Sequence, residues 1–386
     1  MSISHYFVRP TNGADVAGVG TTHMTAYKTT QFALNDIGGT HGRNTVDGDQ
    51  INICDSSLEG ADVLAAPLTL VTYGTPTSAA PLILRGYIAI TNDGGVGEIN
   101  CNGTIMWASG YSNIILADLE IHNAGNNNLV QLGTNIHVFR CELHQTGVNA
   151  GTRILLSLNA GLVTGCYLHH TGNWGNNICI SIAHGLVQGC FVDLGTTTKD
   201  GIILTSPGYM TVLGNIVRSN LAASSGIISY GVSTSLVIGN VVYNLAAGTA
   251  SGIRMGDAAG EYGWNIRNNI VCGWSGAGGA GVRVTDNLYV VGYNAYYNNT
   301  TNLLVGDQIF IDETAHDVQL LADPFINAAG GDFSLTAAAQ AALRSAGWPS
   351  SYLGANTDPH ITIGAVQYGE GGGGGAIRRA MRILGG

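Results

Sequence analysis

The sequence predicts an all-β chain, a single-stranded right-handed parallel β-helix of about ten coils with a short helical cap at each end. Three observations carry that expectation: an internal period near 25 residues, columns of like residues at that period, and a composition rich in glycine and poor in charge. Glycine supplies 57 of 386 residues and charged residues 10%, against about 25% in ordinary globular domains. Hydrophobic residues reach 45%, yet no apolar run is long enough to span a bilayer.

The period is read from Cys141, Cys166, Cys190, Asn215, Asn240, Asn269 and Asn294, at intervals of 25, 24, 25, 25, 29 and 25 residues. Three residues before them stand Val138, Val163, Val187, Val212, Val237, Ile266 and Val291. Two residues after stand Leu143, Leu168, Val192, Val217, Val242, Val271 and Tyr296. Such columns are the inward face of stacked strands. The asparagines among them can pass amide hydrogen bonds from coil to coil. A second strand per coil starts at Gly201-Ile202, Gly226-Ile227, Gly252-Ile253 and Gly281-Val282, where glycine is expected to permit a tight turn. Ile51 to Cys54, Leu82 to Leu84 and Ile99 to Cys101 read as strands of earlier coils. About ten coils at about 4.8 Å each imply a shaft near 50 Å long.

Open solenoid ends expose core and strand edges, so each needs a cap. Thr25 to Ile37 and the Ala-rich Thr336 to Ala346 have helical character and sit where caps belong. The expected organisation is an N-terminal strand and capping helix over 1–48, the shaft over 49–312, a C-terminal cap over 313–369, and a Gly-rich linker with a basic amphipathic tail over 370–386. In that tail Ile377, Met381 and Leu384 share one helical face while Arg378, Arg379 and Arg382 lie elsewhere, a pattern suited to anchoring on a partner.

A formal charge of −10, with Lys28 and Lys199 the only lysines, leaves no basic surface suited to nucleic acid. The seven cysteines form no C-x-x-C pattern and read as small buried hydrophobes rather than a disulfide framework or zinc site. The opening residues lack the basic start and apolar stretch of a secretory signal, so none is expected in the chain as it stands.

The opening Tyr6-Phe7-Val8-Arg9-Pro10-Thr11-Asn12-Gly13-Ala14-Asp15, then Thr25-Ala26-Tyr27-Lys28-Thr29 and Gly48-Asp49-Gln50-Ile51-Asn52, resemble the N-terminal signature of β-helix proteins related to the family 9 pectate lyases. Asp323-Pro324-Phe325, Gly331-Asp332-Phe333-Ser334-Leu335 and Ile363-Gly364-Ala365 resemble the closing segment of the same group. That group spans polysaccharide lyases, hydrolases, phage tailspikes and non-catalytic surface proteins, so the resemblance implies the fold more than an activity. Its lyases hold calcium with clustered aspartates and use a lysine base. The nearest match here is Lys199 with Asp193 and Asp200, without the remaining carboxylates.

Other candidates come from the columns. Glu120 and Glu142 fall outward on adjacent coils, within the roughly 5–9 Å that a glycosidase pair requires. His122, His144 and His169 align, with Asp193 continuing their column. A metal wants ligands converging on a point, so surface histidines and no metal site are expected. Trp174, Trp264, Trp274, Tyr289, Tyr293 and Tyr297 are aromatic faces on which sugar rings can stack, although packing explains most of them equally well.

One outward column reads Glu142, Tyr167, Phe191, Ile216, Val241, Ile270, Ala295, and a long apolar stripe requires a cover. Either loops of the same chain or a neighbouring subunit can supply it. For the second case Tyr167, Phe191, Ile216, Val241 and Ile270 are the expected subunit contacts of a homotrimer. The expected function is a non-catalytic structural protein of a virus (phage) particle, a capsid decoration or tail-associated spike, located on the virion beside other virion proteins, binding surface polysaccharide and anchored by a terminal segment. The alternative is an extracellular polysaccharide lyase or glycoside hydrolase. Calcium is implied only by the lyase alternative, and no other cofactor is expected.

Overall fold

The computed structural model describes residues 3–347 apart from 89–94, 108–109, 126, 146–152, 171–176, 197, 206–207, 231–234, 257–262, 286–288, 307–309 and 345. The chain is a parallel β-solenoid with few, short helices. It divides into two compact units, Met1–Asn173 and Trp174–Gly386.

In the first unit one face stacks Ser4–Val8, Asp49–Cys54, Leu82–Tyr87, Ile114–Ala117 and Ile136–Phe139 in parallel, and Ile136–Phe139 pairs on with Ile154–Thr164. A second face stacks Asp62–Val63, Gly97–Asn100, Leu119–His122, Glu142–Gln145 and Tyr167–His170. In the second unit the corresponding face runs Phe191–Asp193, Ile216–Ser219, Val241–Asn244, Ile270–Cys272, Ala295–Tyr297 and Val318–Gln319. The coil count differs somewhat from the ten expected.

The inward columns are as the period requires. Val187, Val212, Val237, Ile266 and Val291 are paired in register and fully buried, as are Val192, Val217, Val242, Val271 and Tyr296 opposite them. Gly226 fits this core for a reason other than the expected turn. A Cβ there would lie 2.2 Å from Val242 Cγ1, so the glycine lets two faces approach closely.

The sharp bend sits one residue before each ladder position. Arg140, Asn268 and Tyr293 hold φ of 51°, 58° and 56° there, and Gly165, Gly189, Gly214 and Gly239 fall between 60° and 66°. Glycine is the easy occupant of that left-handed region, and asparagine is tolerated.

The asparagine ladder runs through the core of the second unit. Asn240 Oδ1 accepts from the Asn215 backbone N–H at 2.9 Å and from Asn215 Nδ2 at 3.0 Å, while Asn240 Nδ2 donates to Val212 O at 2.9 Å. Asn269 serves Asn240 in the same way, and Asn294 serves Asn269. Asn215 Oδ1 caps the run by accepting from Cys190 N, and Asp317 Oδ1 ends it by accepting from Asn294 N at 2.8 Å.

The N-terminal helix is Thr30–Asp36, capped by Thr29 and burying Ala33 and Leu34. It begins later than the sequence suggests because Tyr27 is extended: its N–H donates to Phe7 O, and its buried hydroxyl donates to Asp36 Oδ2 at 2.7 Å. The C-terminal helix Ala337–Leu343 follows Thr336, which caps it.

The segment before that helix lies along the side of the second unit rather than closing its end. Phe325–Asn327 and Asp332–Leu335 form an antiparallel pair, and fully buried Phe333 packs edge-on against Phe191 and Tyr243, both at 6.0 Å. The Tyr243 hydroxyl donates to Asp323 at 2.6 Å, and Arg218 donates to Ala329 O at 3.1 Å. Phe191, Ile216, Val241 and Ile270 are therefore covered by their own chain, each 6% exposed or less. Tyr167, in the first unit, is equally buried and stacks on His169. These five residues form no open apolar stripe for a subunit contact. Among the described residues no helix is long and apolar enough to cross a membrane.

Replacing Asn240 with alanine orphans the Asn215 amides and Val212 O. At roughly 1–3 kcal/mol per orphaned buried group, we expect a loss of about 3 kcal/mol in chemical denaturation followed by circular dichroism. A loss under about 1 kcal/mol would mean that the ladder is structurally incidental.

Candidate functional site

Alternation along the second-face strands of the first unit builds an outward polar ladder. Ile99, Ile121, Leu143 and Leu168 point inward and are fully buried, so the residues on either side of each must point out. One outward column is Glu98, Glu120, Glu142, Tyr167 and the next is Asn100, His122, His144, His169.

The two columns are joined diagonally. His122 Nε2 donates to Glu98 Oε1 at 2.8 Å, His144 Nε2 to Glu120 Oε1 at 2.9 Å, and His169 Nε2 to Glu142 Oε1 at 3.0 Å. Each imidazole therefore reaches back to the carboxylate of the preceding rung. Stacking is equally regular: His122 on His144 and His144 on His169 each have centroids 4.9 Å apart and planes 6° from parallel. At the fourth rung tyrosine replaces glutamate, and Tyr167 lies 4.3 Å from the His169 ring, closing the series.

Three stacked carboxylates would repel one another, and the histidines offset that repulsion. The hydrogen bond from His144 is the main cause holding the Glu120 carboxyl below the ordinary carboxylate value, with burial working against it. Glu98, Glu120 and Glu142 remain 22%, 31% and 14% exposed, so the ladder is open to solvent. Ligand atoms of Glu98, Glu120 and His122 all lie within 4.8 Å of one another, which makes them a candidate cation site.

The fold is similar to that of a known enzyme. The crystal structure of pectate lyase Pel9A matches 95% of this chain and 98% of its own, with a TM-score of 0.63 and 12% identity. At that identity the likeness is one of fold. No family model matches the chain, and no curated protein matches it.

The candidates read from the sequence are distributed unevenly. Glu120 and Glu142 do stand opposite each other on adjacent rungs, each engaged by an imidazole. A glycosidase acid needs a raised pKa, and that of Glu120 moves the other way. Asp193 is ion-paired with both Nε and Nη2 of Arg218. Lys199 and Asp200 are consecutive on the strand Thr198–Leu204, Lys199 exposed and Asp200 buried, at a shift in the pairing register with the preceding strand. Trp264, Trp274 and Tyr289 are buried in the core, Tyr293 stacks on His316, and Trp174 lies outside the described residues. Ile377, Arg378, Arg379, Met381, Arg382 and Leu384 also lie outside them.

Glu98 is the member that the sequence reading missed. Glu98, Glu120 and Glu142 recur at 22 residues, a shorter interval than the 25 of later coils, and that repeat was the available signal. Replacing His144 with glutamine should raise the Glu120 pKa toward its ordinary value, read by carboxyl-carbon NMR titration. A depressed carboxyl contributes stability that is present at neutral pH and lost as pH falls through the folded-state value. The variant should therefore lose less stability than the wild type on acidification below the ordinary carboxylate range. An unchanged Glu120 titration would show that the imidazole has no such hold.

Proposed function

We propose that the protein is a non-catalytic structural component of a virus particle, a capsid decoration or tail-associated spike, that binds surface polysaccharide along its Glu–His ladder. The observation carrying this reading is that the carboxylates best placed for chemistry are already engaged. Glu120 and Glu142 are held by imidazoles, Asp193 by Arg218, and Asp200 is buried. A general acid needs a carboxyl group whose pKa is raised, and that of Glu120 is lowered. What remains is a regular polar surface repeating once per coil, with donors and acceptors at fixed spacing for the hydroxyls of a repeating polymer. The linker Gly371 to Gly375 and the basic amphipathic peptide after it suit attachment to a larger assembly.

A second reading, extracellular polysaccharide lyase or glycosidase, draws support from the likeness to pectate lyase Pel9A over nearly the full length of both chains. One experiment separates the two. The purified chain is run in affinity electrophoresis through neutral and uronate-rich polysaccharides, and the same polymers are sized after long incubation with and without calcium. We expect retardation by at least one polymer, weakened about tenfold or more when Glu98, Glu120 and Glu142 are all changed to glutamine, with polymer length unchanged. Shortening of the polymer with unsaturated ends, abolished by Lys199→Ala, would replace the binding reading with the lyase one.

A further inference from the structure

We propose that Glu98, Glu120 and His122 form a binding site for a single zinc ion. The inference stands whether or not the ladder binds polysaccharide. Its basis is a convergence that neither column has alone. A straight stack of imidazoles offers no common point for a metal, and neither does a straight stack of carboxylates. Here the strands Gly97–Asn100 and Leu119–His122 pair in register, which sets Glu98 against Glu120. His122, two residues beyond Glu120 on the same outward face, reaches back to within 2.8 Å of Glu98. Three donors from two rungs thus enclose one volume, every pair of ligand atoms within 4.8 Å.

The distances suit a small ion after a modest side-chain adjustment. Zinc binds imidazole nitrogen and carboxylate oxygen at about 2.0–2.2 Å, so two ligands of a tetrahedral ion lie roughly 3.5 Å apart. Side-chain rotations that move carboxylate oxygens by roughly 1 Å close the difference without moving backbone that the rung-to-rung hydrogen bonds hold.

The donor chemistry selects the metal. Two carboxylates balance the 2+ charge, and the imidazole is a poor ligand for calcium or magnesium but a good one for zinc. Three protein ligands leave a fourth tetrahedral position for water, and partial exposure of all three side chains, between 16% and 31%, gives the ion and that water a route in. His144 holds Glu120 from the following rung, the supporting contact that metal-binding carboxylates ordinarily have.

The proton balance is simple. His122 presents its Nε2 lone pair to the ion, the ring proton resides on Nδ1, and the hydrogen bond from Nε2 to Glu98 is exchanged for two metal–ligand bonds. An imidazolium entering the site releases one proton. Among the described residues this is the one such grouping of three side chains.

Isothermal titration of zinc chloride into the tag-free, metal-stripped full chain tests the site, with excess magnesium present to mask weak surface binding. We expect one equivalent bound, at least tenfold more weakly by Glu98→Gln and by His122→Gln, and unaltered by His137→Gln, which changes an exposed histidine outside the ladder. Should a variant misfold, anomalous diffraction at the zinc edge from wild-type crystals tests the site without one: a peak among the three side chains is expected. Absence of zinc binding, equal binding by His122→Gln, or an anomalous peak only elsewhere would overturn the assignment.

Discussion

Parallel pairing at fixed register is the constraint from which the rest of this molecule follows. Each coil hydrogen-bonds to the next through its backbone, so a residue's neighbours one coil away are its own positional counterparts. A choice made once is repeated, and every position becomes a column. Inward columns must then be uniformly apolar or must satisfy their own polar groups. Outward columns multiply whatever charge they carry.

The two units meet this constraint with different chemistry. In the second, the amide side chain is the inward solution. Asparagine has both donor and acceptor, so each member can accept from the coil before it and donate to a backbone carbonyl, as Asn240, Asn269 and Asn294 do. In the first, the outward solution pairs carboxylate with imidazole. A glutamate column alone would stack like charges at strand spacing. The neighbouring histidine column gives each carboxylate a partner on the following rung, and the rings gain parallel stacking from the same register. Glu120 and Glu142 are thereby each engaged by an imidazole of the following rung.

Much of this was legible in the sequence wherever the period was strict. The column from Cys190 to Asn294 identifies the core because valines flank it at constant offset, and the structure stacks them accordingly. Legibility failed where the interval changed or where a contact was long in sequence. The 22-residue spacing of Glu98, Glu120 and Glu142 concealed one rung of the ladder, and a one-dimensional alignment could not show that strand offset joins each histidine to the preceding glutamate. The apolar stripe from Phe191 to Ile270 was visible, but not its cover. Phe333 lies more than a hundred residues beyond Phe191, and an aromatic near a chain end looks the same whether it closes an end or folds back along a side.

Residue-resolved hydrogen exchange is the most direct test of register as the organising constraint. The amides of Cys190, Asn215, Asn240 and Asn269 each donate to the ladder asparagine of the next coil. If the stacked register holds the second unit together, these four should be among the last to exchange and should do so at a common rate set by cooperative opening. Exchange at the rates of exposed loop amides, or four unrelated rates, would contradict the account.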